Sequence, residues 1–282
     1  SGQALANARF WRHGGQVSIY ANRTLAPVEV VILVRYRESV SGRVLELGCG
    51  GGRVLGYLVA LGGQVHGIDL SAEMVDYCHS QYPDADIRVG DMSSADDIFG
   101  GKFDAIIAAS NILDVYDQDE RRQTLAALRE MLTSDGLLIF SSHNLAHLDG
   151  HAQLTDAGAE PARSGGLGLV VKVLERSPVD LVRAASRLPR RLRNRRRLAP
   201  LQRRTADHAI VNDDALDYGT LHYYVRRDDQ VRQLDELGYD VVDVLDPWAR
   251  SVGPGEPGQG AWLHYIARPR EGTLTSSVDD AD

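Results

Sequence analysis

The chain has 282 residues, 43% of them hydrophobic, and a formal net charge of −8. That balance suits a globular protein able to bury one full core and argues against a nucleic-acid binder that works through its whole surface. No apolar run approaches the roughly 20 residues of a membrane-spanning helix, and a basic-then-apolar leader is not expected either.

The N-terminal stretches Ala4–Arg12 and Val17–Arg23 are aromatic and basic, and Pro27 suits the first turn of an apolar helix over Pro27–Val40. Next comes Val44–Arg53, reading VLELGCGGGR, in which an apolar strand ends at Glu46 and glycines stand at 48, 50 and 52 before a helical pattern begins. Alternate glycines mark a turn that needs positive φ or lets a ligand touch the main chain. The dinucleotide fingerprint G-x-G-x-x-G would require glycine where Arg53 stands.

The order E-x-G-x-G-x-G resembles motif I of the class I S-adenosylmethionine (SAM)-dependent methyltransferases, and the next elements of the chain keep the resemblance. Gln64–Ile68 reads as a second strand ending at Asp69, with Leu70 next and Ser71 as N-cap of a helix to Ser80. A carboxylate there can accept both hydroxyls of a ribose. Asp86–Val89 is a third strand running into Asp91 and Met92, to which the resemblance gives the adenine. Phe103–Ala108 is a fourth strand, apolar throughout as for burial on both faces, and the loop from Ser110 comes after it. This loop is not the N/D-P-P-Y/F loop of the amino-methylating nucleic-acid enzymes. A helix over Asp117–Met131 and a fifth strand at Leu137–Ser141 come next. From Thr220 the scaffold resumes with an extended Leu221–Val225, a helix to Leu237 with Asp228 as N-cap and Gly238 as its C′ residue, a strand Tyr239–Leu245 and a last strand Ala261–Ala267.

The implied architecture is α/β: a doubly wound, mostly parallel seven-stranded sheet with an antiparallel last strand, an N-terminal helical lid (1–40) and an insert after the fifth strand (143–219). The cofactor domain spans 41–142 and 220–270, and 271–282 reads as a disordered tail. The resemblance implies SAM as cofactor, held by Glu46, Gly48, Cys49, Gly50, Asp69, Leu70, Asp91, Met92 and Ser110. From the lid, Tyr20 and Arg23 would reach the methionine carboxylate, unless these residues only staple a helix to the core.

A sulfonium methyl is already activated, so such an enzyme positions a nucleophile and excludes water. No cysteine stands beyond a strand end as a nucleophile. Cys49 and Cys78 also lack disulfide or metal-ligand spacing, and a reducing cytoplasm is the expected setting. His143, directly after the fifth strand, is the candidate general base, because imidazole titrates near neutrality. The competing reading is a loop histidine bonded to backbone. His143, His147 and His151 recur every fourth residue near Asp149, but without a second ligand cluster no metal is expected. His222, Tyr223 and Tyr224 are alternative walls of an acceptor pocket.

The insert carries a strand pattern at Leu167–Leu174, a helix starting at Ser177-Pro178 and expected to end at Pro189, and an arginine-dense run from Arg183 to Arg204. The favoured reading is a cap over a small-molecule acceptor, anionic or sugar-like, methylated on oxygen or nitrogen. An RNA-binding arm is less favoured, since no aromatic residue interleaves the arginines. A non-catalytic SAM-fold interaction subunit is the third reading. No membrane partner is expected, and the sequence sets no oligomeric state.

Overall fold

The computed structural model describes residues 1–12, 24–150, 178–213 and 215–270, with the backbone alone at 178–185 and 215. Tyr20, Arg23, His151, the Leu167–Leu174 segment and the 271–282 tail lie outside the described residues.

Four strands alternate with helices as the apolar runs dictate: β1 (Arg43–Leu47), β2 (Gln64–Asp69), β3 (Asp86–Val89) and β4 (Phe103–Ala108), paired in parallel in the order β3-β2-β1-β4. β5 (Leu132–Asn144) continues the parallel set. Three further strands, β6 (Arg203–Arg204), β7 (His208–Val211) and β8 (His222–Val225), precede β9 (Tyr239–Leu245) and β10 (Trp262–Pro269). β10 runs antiparallel between β5 and β9. The path β3-β2-β1-β4-β5-β10-β9 takes in seven strands, and the sheet holds ten among the described residues rather than the expected seven.

The extra strands change the end of β5. Where β4 stops, opposite Phe140, β8 takes over the free edge and pairs in parallel with His143 and Asn144. The fifth strand therefore runs past the expected Ser141, and His143 sits on the strand instead of after it, held on its other side by Trp262 of β10. Backbone groups that would be orphaned at a strand end are satisfied by these neighbours.

Side-chain alternation along the strands builds two cores, one on each face of the sheet. Leu45, Leu47, Phe103, Phe140 and Tyr265 lie in one, and Val44, Ile107, Ile139 and Ile266 in the other. Helix α1 (Gly2–Arg12) precedes α2 (Pro27–Arg35). The second core also receives α2, α3 (Leu55–Ala60) and α4 (Ala72–Gln81). The first core receives α5 (Gln118–Glu130).

Helix α6 (Pro178–Leu198) does not stop at Pro189. Proline removes one backbone donor, but beyond it the helix is held by tertiary contacts: Leu198 is buried against Ile210 and Tyr223, and the Asn194 side chain donates to the Asp217 carbonyl at 3.1 Å. The last helix, α7 (Arg227–Glu236), has its N-cap at Arg226, two residues before the expected Asp228, and buries Leu234 in the first core. No described helix is long and apolar enough to cross a membrane.

Candidate active site

The glycine turn after β1 is built as its spacing requires. Gly48, Gly50 and Gly52 have φ of +60°, +53° and +76°, the left-handed region that side chains disfavour. Gly52 backs directly onto Tyr82 and Cys78, where a Cβ would come within 2.7 Å of the tyrosine ring. Gly50 instead faces open space, its nearest outside atom being the Gly48 carbonyl at 3.9 Å. That space belongs to a cavity of about 710 Å³ along the carboxyl ends of β1, β2 and β4, the crevice where open α/β sheets take ligands.

Every sequence-expected cofactor residue within the described chain lines this cavity. Glu46, Gly48, Cys49 and Gly50 line it from the turn after β1, Asp69 and Leu70 from the end of β2, Asp91 and Met92 from beyond β3, and Ser110 from beyond β4. Asp69 ties the turn to the end of β2: the Gly50 N–H donates to its Oδ2 at 2.8 Å and the Ser71 N–H to its Oδ1 at 2.9 Å. Each carboxylate oxygen has a second lone pair left for a ligand hydroxyl. Burial raises its pKa, partly offset by these two backbone donors. Asp91 accepts from Ser93 and from the Tyr116 hydroxyl. Burial pushes its carboxyl up, but those donors bring it below the ordinary range.

Glu46 is buried with Oε2 lacking any hydrogen-bond partner. Burial raises its pKa well above the usual value, only partly opposed by Arg53. Arg53 itself is committed elsewhere, paired through two nitrogens with Glu29 and donating to Ser110 Oγ at 3.0 Å. An orphaned acid beside a bare glycine floor and a bridging aspartate fits a ligand carrying an ammonium group and a vicinal diol.

Ser110 and Asn111 both have φ of +57°, and this tight turn reverses the chain after β4. It leads to Asp114, a residue the motif spacing does not single out. Asp114 is 0% exposed, and its Oδ2 accepts from the His143 backbone N–H at 2.7 Å and lies 2.7 Å from His143 Nδ1. A carboxylate only accepts, so Nδ1 carries the proton; the Asn111 amide lies 3.3 Å from Nε2 and donates to it. Ser142 Oγ donates to Asp114 Oδ1 at 2.8 Å, and the equally buried Arg121 lies 3.4 Å from the same oxygen. His143 thus has a fixed tautomer, with Nε2 as its basic atom on the cavity side.

A second pair stands against the first. His222 Nδ1 lies 2.8 Å from Asp213 Oδ2, which also accepts from the Tyr224 hydroxyl at 2.8 Å. Burial pushes Asp213 up, but His222 and Tyr224 hold it below the usual carboxylate range. His222 and Tyr224 share one strand face, with ring centroids 4.9 and 4.7 Å from that of His143, while Tyr223 points away and stacks on His208. His143, His222 and Asp213 each bring a ligand atom within 4.8 Å of the others. The two imidazole planes are only 20° apart, so an ion in the plane of one lone pair would lie well off the plane of the other. The arrangement favours stacking and hydrogen bonding over a shared ion. His147 lies on the helical residues 145–150, apart from this trio.

Helix α1 closes the cavity through Ala4, Ala8 and Trp11. It is anchored by buried amides: Gln3 donates to the Asp114 carbonyl, and Asn7 donates to the Val115 and Leu221 carbonyls while accepting from the Leu221 N–H. Asp114, Asp213 and these anchors come from separated segments. The acid four residues beyond the Ser110 turn was the only local hint of any of them.

This sheet order and cavity define the fold of the class I SAM-dependent methyltransferases. A glycopeptide N-methyltransferase solved with SAM has the same fold, with a TM-score of 0.52 at 18% identity, covering 88% of this chain and 96% of that one. Residues 44–136 match the family described as "Methyltransferase domain". Over 146 residues the chain is 31% identical to the ubiquinone biosynthesis O-methyltransferase of Xanthomonas axonopodis, covering 50% of this chain and 58% of that protein. Over 112 residues it is 28% identical to the dTDP-3-amino-3,4,6-trideoxy-alpha-D-glucopyranose N,N-dimethyltransferase of Streptomyces venezuelae, covering 39% and 46%. The chain thus spans about half the length of these relatives.

Proposed function

We propose that the protein is a SAM-dependent methyltransferase that methylates an oxygen or nitrogen atom of a small-molecule acceptor. The observation that carries this reading is the pairing, across one cavity, of a cofactor-type floor (Glu46, Gly50, Asp69) with an oriented imidazole, His143. The relatives' names, an O-methyltransferase and an amino-sugar N,N-dimethyltransferase, support small-molecule acceptors of either atom type.

When bound, SAM supplies an electrophilic methyl group on a positively charged sulfur. Asp69 would hold a ribose diol and Glu46 an ammonium group; Met92 and Leu70 would offer apolar contact to the base. The α1 residues and Trp262 keep water from the acceptor side. An acceptor would displace the Asn111 amide from His143 Nε2, which would take the proton its oxygen or nitrogen loses as the methyl–sulfur bond breaks, the methyl passes to that atom and the thioether leaves. Asp114, fixed by Ser142 and Arg121, stabilises the imidazolium that results. A roomy cavity floored by main chain leaves acceptor choice to the β8 side, through His222 and Leu216.

The test is methyl transfer from labelled SAM into fractionated small metabolites and, in parallel, RNA. Label in one small-molecule fraction, lost with His143→Ala, supports the reading. Label confined to RNA, or SAM binding unchanged by Asp69→Ala, overturns it.

A further inference from the structure

We propose that the outer face of α6 docks the protein on an anionic lipid bilayer. The helix carries eight arginines against one acid, Asp180, in a chain of net charge −8. Its inner face is used up: Arg190 pairs with Asp217, Arg191 and Arg195 lie over the Tyr218 ring at 5.1 and 5.6 Å, and Asn194 and Leu198 are buried. On the opposite side Leu188, Leu192 and Arg196 follow one another at four-residue spacing, the leucines 54% and 48% exposed. Exposed Arg193 and Arg197 border that row on one side.

An outward apolar row bordered by arginines is the pattern of a helix lying in a membrane interface, with leucines in the acyl boundary and cations at anionic headgroups. Two leucines on one row fall far short of the roughly 800 Å² per partner of a stable protein interface. Nucleic acid is the poorer fit, because leucines occupy the centre of the face and no aromatic side chain lies between Pro178 and Arg204 to stack on bases. The proposal departs from the expectation of no membrane partner in naming a surface contact only, and no described helix is long and apolar enough to cross a membrane. The inner face of α6 grips Ala215–Tyr218, whose Leu216 lines the cavity, so docking would act one short turn from the acceptor wall. That consequence, unlike the docking itself, rests on the proposed function.

The experiment is co-sedimentation of the full chain with vesicles of phosphatidylcholine, with and without phosphatidylglycerol, across a salt series. Binding is expected only with the anionic lipid, weakening with salt. Arg193→Glu/Arg196→Glu/Arg197→Glu should reduce partitioning at least about tenfold. Leu188→Ser/Leu192→Ser should leave only a salt-stripped association. Both variants should keep the wild-type melting temperature and SAM binding, which separates lost docking from lost folding and from failure of the methyltransferase reading. No co-sedimentation at low salt, equal binding to neutral vesicles, or an RNA oligomer that strips the protein from vesicles and binds the leucine variant undiminished would each overturn the proposal.

Discussion

Asp114 acts on the proposed chemistry through His143 and touches no acceptor itself. Asp114→Asn keeps the size and removes the charge, and an amide can donate to Nδ1 and so favour the wrong tautomer. We expect kcat to fall about 10²- to 10⁴-fold with SAM affinity unchanged, measured by single-turnover methyl transfer and calorimetric titration. Glu46 makes the opposite trade. With its carboxyl raised by burial, the acid stabilises the ligand-free fold below the usual glutamate range, and that stabilisation is lost as pH climbs through the raised value. Glu46→Gln should therefore melt higher than wild type at neutral pH without ligand, and bind SAM at least about tenfold more weakly. A variant that melts no higher and binds normally contradicts the role given to Glu46. At this scale the sequence exposed what is local: Glu46, Asp69 and Asp91 stand at fixed distances from the glycine turn and from strand ends. It hid Asp114 and Asp213, whose partners arrive from β5 and β8 through pairing that no spacing encodes.

The turn and the helices divide by the same logic. Alternate glycines, continuous apolar runs and the Ser71 cap are short-range signals, so β1 to β4 could be placed from sequence to within a residue or so. The end of β5 depends on which strands come to lie beside it, and the run past Pro189 depends on Leu198 and Asn194 meeting distant partners. Helix α1 looks in sequence like aromatic packing, yet buried amides anchor it, and hydrophobic periodicity does not report those. The turn itself offers a paired comparison. Gly52→Ala places a methyl against Tyr82 and Cys78, at positive φ, and should lower the melting temperature markedly. Gly50→Ala meets nothing in the free protein, so its stability cost should stay near the ~1–2 kcal/mol of the backbone strain. Its larger effect should be on SAM, which we expect to bind at least about 30-fold more weakly once a methyl occupies the floor. Calorimetric melting and ligand titration of the two variants distinguish strain from obstruction.

Across the whole molecule, β10 joins β5 to β9, and His264 stands in both pairings, opposite Ser141 and Leu245. It is buried near Glu29 and Arg53, and burial lowers its pKa to about 4, Glu29 opposing. Between pH 6.5 and 4 the unfolded chain binds the proton that the folded one refuses, so His264 contributes stability above pH 6.5 that is lost as pH falls toward 4. Urea unfolding over that window should show a declining midpoint, and His264→Gln should flatten the decline; an unchanged slope would remove His264 as its source. The doubly wound order was legible because each βα unit repeats one pattern. Of the β6-β7-β8 addition only β8 was legible, as the extended Leu221–Val225; β6 and β7 are strands of two and four residues, too short for a pattern to show.

That addition has an evolutionary reading. The match to the methyltransferase domain ends at residue 136, just before β5 reaches the strand that bears His222. On the proposed function the cofactor floor lies on one flank of the sheet, and the acceptor wall takes Leu216 and His222 from a separate hairpin on the other. If the proposed function holds, exchanging that hairpin and its helix as a cassette would change the acceptor while the glycine turn went on holding the same methyl donor.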